Sequence, residues 1–443
     1  MTDSLGEKKK WQPPPMRSVQ DTGLNMGILT DLAVKIIYNS GYLSGLQLAD
    51  RMCLPYNGVV DRVLEFMKRE KWVEVRGAGG GISEAAYEYL ISQKGSSKAQ
   101  EALNRNLYAG PCPVTLPQYV YAMKAQYRRP YVQREGLVQA FKDLIVDEEM
   151  LGKIGPAINS GKAIFMYGPP GNGKTTFATR AARFVLGSDM WIPYAIDVDG
   201  QVIRVFDNVN HEVLETDDQI TKSSTGLRRD PRWVRVRRPV IMVGGELTMA
   251  GLDLVYDPTN KYYEAPFQLK ANGGLFFIDD FGRQMMRPQD LLNRWIVPLE
   301  SRIDFLTLTT GRKIEIPFNL LIIFSTNLPP ADLVDEAFLR RIPHKIEVGD
   351  PDIDQFREIF KLYCQIKRVP YDQKGLAYLL QEWYLKHNRP LRSVHPRDIL
   401  DQLLDIARYL NRPPQLTKDL IDRAAEAYFV DLTGEYKAVT TGN

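Results

Sequence analysis

The stretch that decides the fold is Ala163-Ile164-Phe165-Met166-Tyr167, which runs without a break into Gly168-Pro169-Pro170-Gly171-Asn172-Gly173-Lys174-Thr175. Five apolar residues in a row predict a strand buried on both faces. The glycines that follow let successive backbone N–H groups turn inward toward phosphate oxygens, and a helix opening near Lys174 adds its positive end. Lys174 is placed to reach the β- and γ-phosphates of a nucleotide, and the Thr175 hydroxyl to ligate Mg²⁺. A chance match in a glycine-rich turn would lack the strand before, the helix after and the intact Lys-Thr pair. Gly168 to Thr175, with Thr176 behind them, are therefore the candidate ATP-binding residues.

Two further apolar runs end on polar residues suited to the same chemistry. Leu275-Phe276-Phe277-Ile278 leads into Asp279-Asp280, and Leu320 to Phe324 leads into Ser325-Thr326-Asn327. The carboxyl ends of parallel strands face the crevice where ligands bind. Asp279 fits a water-mediated Mg²⁺ partner. Asp280 fits the group that orients and deprotonates the attacking water, and Asn327 a sensor that holds that water or the γ-phosphate. Read alone, each is ordinary: an acidic strand end can be a cap, and Ser-Thr-Asn is common turn chemistry. Their order behind the phosphate loop is what favours the functional reading.

From Gly168 to His344 the chain resembles an AAA+ ATPase, most closely the MoxR and NtrC branches that carry a pre-sensor β-hairpin. The matching segments are GPPGNGKT, ANGGLFFIDDFGR, QDLLNRWIVPLESR, DFLTLTTGRKIEIPF, IIFSTNLPP and DEAFLRRIPHKI. The resemblance implies the sensor-1 role for Asn327. It implies an arginine finger toward a neighbouring subunit for Arg341, with Arg340 as second choice, and a sensor-2 role for Arg397 in His395-Pro396-Arg397-Asp398. The alternative for each arginine is a solvated or salt-bridged surface residue. Two departures stand out. The usual Asp-Glu pair is Asp279-Asp280 here, which bears on hydrolysis rate more than on binding. The Gly-Ala-Phe-Thr-Gly-Ala loop of the polymerase-activating branch is missing, which disfavours that role.

Around this block the expected organisation is an α/β AAA+ P-loop parallel sheet with a C-terminal helical lid, preceded by a winged-helix domain. Residues 1–20 read as a mobile tail, because Lys8-Lys9-Lys10 and Pro13-Pro14-Pro15 cannot form a core. Residues 21–107 show three helices, a strand pair and a closing helix expected to begin at Ser83, the order of a winged helix. Ser44 and Gln47 predict a capping box. Residues 108–134 read as a proline-spaced linker, 135–350 as the nucleotide-binding domain, and 351–443 as the lid. An insertion over 190–238 begins as a hairpin bent at Asp199-Gly200. It ends in a basic run (Arg228, Arg229, Arg232, Arg235, Arg237, Arg238) that suits nucleic acid, an acidic client, a neighbouring subunit or plain solvent. Phe305 to Ile316 reads as a pore-facing hairpin with Arg312 and Lys313 near its tip, or else as an ordinary edge hairpin.

Composition sets the outer bounds. A chain of 443 residues holds two or three domains. With 44% apolar and 25% charged residues it has the balance of a globular protein, and a net charge of +3 does not argue for nucleic acid or membrane. Three scattered cysteines and four scattered histidines offer neither a disulfide framework nor a zinc spacing. The apolar runs are strand-sized, so membrane insertion is not expected, and with no secretory pattern at the start the expected location is the cytoplasm. The reading is thus a Mg²⁺-dependent ATPase forming a homo-oligomeric, hexameric ring that remodels a protein client of unknown identity. The alternatives are a DNA-acting regulator or motor that uses the winged helix, and a nucleotide-controlled scaffold with weak hydrolysis. DNA is disfavoured because Asp61, Glu65 and Glu70 interleave with Arg62, Lys68 and Arg69 on the would-be recognition helix.

Overall fold

The computed structural model describes residues 10–78, 84–185, 187–214, 229–333 and 336–429. Its N-terminal unit comprises α1 (Met26–Ser40), β1 (Tyr42–Ser44), α2 (Gly45–Met52), α3 (Asp61–Arg69), β2 (Val73–Ala78), β3 (Tyr87–Ile91) and α4 (Gln93–Arg105). Helix α1 buries Leu29, Leu32, Ala33, Ile36 and Ile37, the residues that recur at helical period. Ser44 and Gln47 make the reciprocal capping box at the start of α2. The three strands form an antiparallel sheet in the order β1-β3-β2. The closing helix starts after Ser92 rather than at Ser83, because Tyr87–Ile91 forms the third strand. Ser83 itself lies outside the described residues.

The segment read as a mobile tail is built into the molecule from residue 10 onward. Trp11 meets Trp233 edge-to-face at 5.3 Å, Met16 is buried, and Pro14 O accepts from Asp230 N at 3.1 Å. Prolines hold this arm extended, and its two large apolar side chains find tertiary partners that composition does not reveal. Residues 1–9, with Lys8 and Lys9, lie outside the described set. The stretch 108–134 is likewise more than a linker. It contributes β4 (Val114–Thr115) and α5 (Leu116–Gln126), the latter opened by a Thr115–Gln118 capping box with Pro117 in its first turn. A proline there costs no hydrogen bond, so it marks a helix start and not a break.

The chain continues through α6 (Arg134–Ala140), α7 (Glu148–Ser160), β5 (Ile164–Tyr167), α8 (Lys174–Val185), β6 (Asp189–Pro193), β7 (Ala195–Val198), β8 (Gln201–Arg204), β9 (Trp233–Arg237) and β10 (Val240–Val243). Next come β11 (Val255–Asp257), β12 (Tyr262–Glu264), α9 (Phe267–Lys270), β13 (Leu275–Ile278), α10 (Pro288–Ser301), β14 (Ile303–Thr307), β15 (Lys313–Pro317) and β16 (Leu321–Thr326). The short helices α11 (Pro330–Leu333) and α12 (Glu336–Leu339) precede β17 (His344–Glu347). Among the described residues four α-helices follow: α13 (Ile353–Lys367), α14 (Gln373–Leu379), α15 (His395–Tyr409) and α16 (Lys418–Tyr428).

Five strands form an all-parallel sheet in the order β10-β13-β16-β5-β17. Both faces are covered. Phe276, Ile278, Ile322 and Phe324 pack toward Trp295 of α10, and Leu275, Phe277, Leu321 and Ile323 toward Ile154 and Ile158 of α7. Full burial of each such side chain stabilises by roughly 1.5–3 kcal/mol, which is why these strands are apolar at every position. A second five-stranded sheet, β11-β12-β8-β7-β4, gathers strands from three separate stretches of sequence. Its β7–β8 hairpin bends at Asp199-Gly200, both at positive φ (51° and 83°), as the primed hairpin turns require.

The basic run of the insertion is not an open cationic stripe. Arg232 is fully buried, bonds both oxygens of Asp230 and donates to Thr22 O and Pro113 O. Arg238 is also buried and serves Gln126 O and Gly273 O, while Arg235 pairs with Asp189 and Arg237 with Glu212. Arg229 lies over the Trp191 ring, and Arg228 is outside the described residues. The segment is strand β9 and its approach, so alternate side chains turn into the molecule instead of toward a ligand. The β14–β15 hairpin forms in the expected place. Leu306, Leu308, Ile314 and Ile316 pack into the core around Tyr263, Phe305 is exposed, and Arg312 at the tip pairs with Asp199.

Candidate functional site

Strands β5, β13 and β16 are neighbours in the parallel sheet, so the three polar segments that follow them meet at one edge. The phosphate loop leaves β5 with Gly168, Gly171 and Gly173 at φ 139°, 82° and 84°. Two of these glycines are also fixed by space. A Cβ on Gly168 would lie 2.3 Å from Val348 O, and one on Gly171 would lie 2.6 Å from Val394 Cγ1. Lys174 opens α8 and is buried. Its Nζ donates to Gly168 O at 2.8 Å, Pro169 O at 2.9 Å and Asn327 Oδ1 at 2.6 Å. Burial pulls its pKa below the usual lysine value, Asp279 and Asp280 oppose that, and Arg392 adds to it.

Thr175 Oγ1 donates to Asp279 Oδ2 at 2.8 Å, so the two expected metal-ligating groups are already adjacent. Asn327 bridges the site: its Oδ1 takes the Lys174 ammonium and its Nδ2 donates to Asp280 Oδ1 at 3.0 Å. Asp280 sits at φ 48°, a left-handed turn that points the chain back across the strand end. Gln284, which sequence reasoning passed over, braces this turn. Its Nε2 donates to Asp279 O and Asp280 O, and its Oε1 accepts from Gly282 N. The signal available was only its distance from the acidic pair, four residues on.

The three arginines that the resemblance singles out each pair within the chain. Arg341 pairs with Glu300 at the end of α10 at 2.7 Å, and Arg340 pairs locally with Glu336 at 2.9 Å. Arg397, one turn into α15, pairs with Asp398 at 2.8 Å. The lid residues that meet the phosphate loop come just before that helix. Ser393 N donates to Asn172 Oδ1, Val394 packs on Gly171, and Arg392 pairs with Asp350. Arg392 is thus a lid arginine at the loop that the sequence reading missed, because the motif match fell on the helix start.

Beside the loop lies a cavity of about 240 Å³ whose mixed lining includes Val146, Met150, Phe177, Val348 and Ile359 together with Asp147, Glu149, Lys153, Asn172, Glu347 and Gln355. Larger cavities of about 460 and 670 Å³ lie at the junction of the N-terminal unit with the insertion, and neither is lined by the loop or the acidic pair. Among the described residues no cluster of His, Cys, Asp and Glu could alone hold a metal, and no helix is long and apolar enough to cross a membrane. The donor set does suit magnesium, which uses one or two protein oxygens and completes its shell with phosphate and water. The parallel order, the loop behind β5, the acid behind β13 and the helical block behind β17 settle the architecture. The fold is an α/β P-loop module, a five-stranded parallel sheet followed by a helical block.

A family model described as a domain of unknown function (DUF8689) matches residues 352–427, which is the lid alone. No curated protein matches the chain. Among solved structures, NtrX from Brucella abortus in complex with ADP is 14% identical, with 74% of this chain and 65% of that chain covered and a TM-score of 0.38. NtrX in complex with ATP is 13% identical over 84% of this chain and 66% of that one, with a TM-score of 0.36. A point mutant of RuvB from Thermotoga maritima is 12% identical over 69% of this chain and 74% of that one, also with a TM-score of 0.36. The chain therefore spans slightly less than two thirds of the NtrX chains it resembles. Likenesses this remote add nothing to the argument from strand order and site geometry.

Proposed function

We propose that the protein is a Mg²⁺-dependent AAA+ ATPase, of the type with a pre-sensor hairpin, that works as a homo-oligomeric ring to remodel a protein client. The observation that carries the reading is the chain of contacts Thr175–Asp279 and Lys174–Asn327–Asp280. One hydrogen-bonded set joins the residues that would hold phosphate, metal and water. Lys174 rests on two carbonyls and an amide oxygen, acceptors that phosphate oxygens can replace with stronger, charge-assisted bonds. Magnesium, held by Thr175 and Asp279, would neutralise charge on those oxygens. Asp280, held by Asn327, accepts the proton of the attacking water. The neighbouring cavity, with Val146, Met150, Phe177 and Ile359 beside Asp147 and Gln355, offers both apolar walls and hydrogen-bonding groups to a base.

The element order α1-β1-α2-α3-β2-β3 supports a winged helix at the N-terminus, and its docking supports a protein-facing role over a DNA-reading one. A helix-turn-helix reader presents the N-terminal end of its second helix to the groove. Here the turn into α3 lies under the N-terminal arm, so that a Cβ on Gly58 would sit 2.1 Å from Arg17 O. Arg62 on that helix pairs with Glu65 at 3.0 Å, which further lowers its value as a phosphate contact.

The test is ATP binding and turnover in two variants. Lys174→Ala should lose most of its ATP affinity. Asp280→Asn should bind ATP as wild type does and lose at least about a hundredfold in turnover, since an amide cannot take the proton. Equal turnover in wild type and Asp280→Asn would remove Asp280 from the mechanism.

A further inference from the structure

We propose that the Asn172 side chain is the joint through which the phosphate loop sets the position of the helical lid. The inference rests on the ATP-site reading above and concerns a residue whose identity that reading leaves unexplained. The G-x-x-x-x-G-K-[ST] pattern asks nothing of the side chain at position 172. Yet Asn172 is 3% exposed, and its amide makes three of the four hydrogen bonds open to it. Nδ2 donates to Gly349 O at 2.9 Å and to Asp350 Oδ1 at 2.7 Å, and Oδ1 accepts from Ser393 N at 3.0 Å.

Those three bonds reach two separate pieces of chain. Gly349 and Asp350 lie between β17 and α13, where the lid leaves the sheet, and Ser393 lies just ahead of α15 inside the lid. Asp350 also pairs with Arg392, and Val394 packs against Gly171 with no room for a Cβ between them. The loop cannot shift on binding a phosphate without moving or breaking a bond to the hinge or to the lid. Only an amide fits. A carboxylate at 172 would set lone pairs against Gly349 O and Asp350, and a hydroxyl lacks the second donor. Asn172 is therefore a positioning residue, with no role on the reacting atoms.

The experiment follows amide hydrogen exchange over residues 390–400, with and without Mg²⁺-ATP, alongside steady-state ATPase kinetics. Without nucleotide, Asn172→Ala should speed exchange in the segment containing Ser393 by about fivefold, the loss of the one hydrogen bond that reaches it. With ATP saturating each protein, wild type should slow exchange in the lid and Asn172→Ala should not. kcat should fall about tenfold or more, with a smaller change in KM, because the lid no longer settles over bound substrate. Asn172→Asp should be worse. Adding Asp350→Asn to it should recover part of the lid response, since donor and acceptor are then exchanged across the same contact. A purely structural role predicts no such recovery, so its failure in a folded double variant overturns the proposal. So does a wild-type lid response in Asn172→Ala. Wild-type protein that binds no ATP would overturn the reading of the site itself, and the joint with it.

Discussion

Arg232 shows how much one side chain can hold together in this chain. Its guanidinium is fully buried and joins Asp230 of the insertion to Thr22 of the N-terminal unit and Pro113 of the connecting stretch. Removing it leaves the Asp230 carboxylate, 5% exposed, without its charge partner. Breaking such a buried pair costs about 3–5 kcal/mol, so Arg232→Ala should lower the denaturant midpoint sharply. Asp230→Ala on top of it should add little, because the charge that was stranded is gone. A loss of stability under about 1 kcal/mol would show that the junction is held by packing alone. In the sequence Arg232 was one of six arginines in a basic run, and nothing local marked it as buried. Lys174, Thr175, Asp279, Asp280 and Asn327 were legible because their types and order repeat a chemical requirement. Gln284 and Arg392 were not, since each acts through a contact made only after folding.

At the scale of elements, capping is the feature the sequence states most directly. The boxes at Ser44–Gln47, Thr115–Gln118 and Asp352–Gln355 each open a helix in the structure. The lid adds a pH dependence at the start of α15. His395 is packed against Tyr428 and Phe429, with Tyr384 Oη 2.9 Å from its Nδ1. Burial first, then the nearby Arg392, push its pKa down to about 4 from 6.5, against weaker pulls from Asp398 and Asp350. Between those values the unfolded chain binds a proton that the folded lid refuses. Stability therefore falls as pH drops from about 6.5 toward 4 and is fully present above that window. Thermal unfolding followed from about pH 7.5 to about pH 4.5 should show this decline, and His395→Gln should flatten it. An unchanged slope in the variant would assign the acid sensitivity elsewhere. The β14–β15 hairpin was equally legible as an element. Its surroundings were not, for the pairing of Arg312 with Asp199 joins two turns more than a hundred residues apart.

For the molecule as a whole, the proposed ring would place Arg341 at the boundary between subunits. Arg341 is held by Glu300 of its own chain, on a surface near the carboxyl end of α10. If it completes the site of a neighbouring subunit, Arg341→Ala should keep ATP affinity and lose turnover by roughly a thousandfold, the lower end for arginine fingers. Mixing Arg341→Ala with Lys174→Ala subunits should then restore part of the activity, because some interfaces pair an intact loop with an intact finger. ATPase activity that is full in a monomeric preparation, or no recovery on mixing, would end the shared-site reading.

The sequence by itself determined the parallel sheet, the glycine-rich loop, the acidic and amide strand ends and the helical character of the C-terminal block. Each depends on patterns confined to a dozen residues: apolar runs, glycine spacing, a cap, a strand end. Only the tertiary structure decided that residues 10–20 form a packed arm, that 108–134 supplies a strand and a helix, and that Arg232 and Arg238 of the basic run are buried. It alone brought Arg392 and Ser393 to Asn172, the latter across 221 residues of chain. The reason is physical: a local pattern reports what a segment can become, while a buried partner far along the chain decides which polar side chains are satisfied and which surfaces disappear.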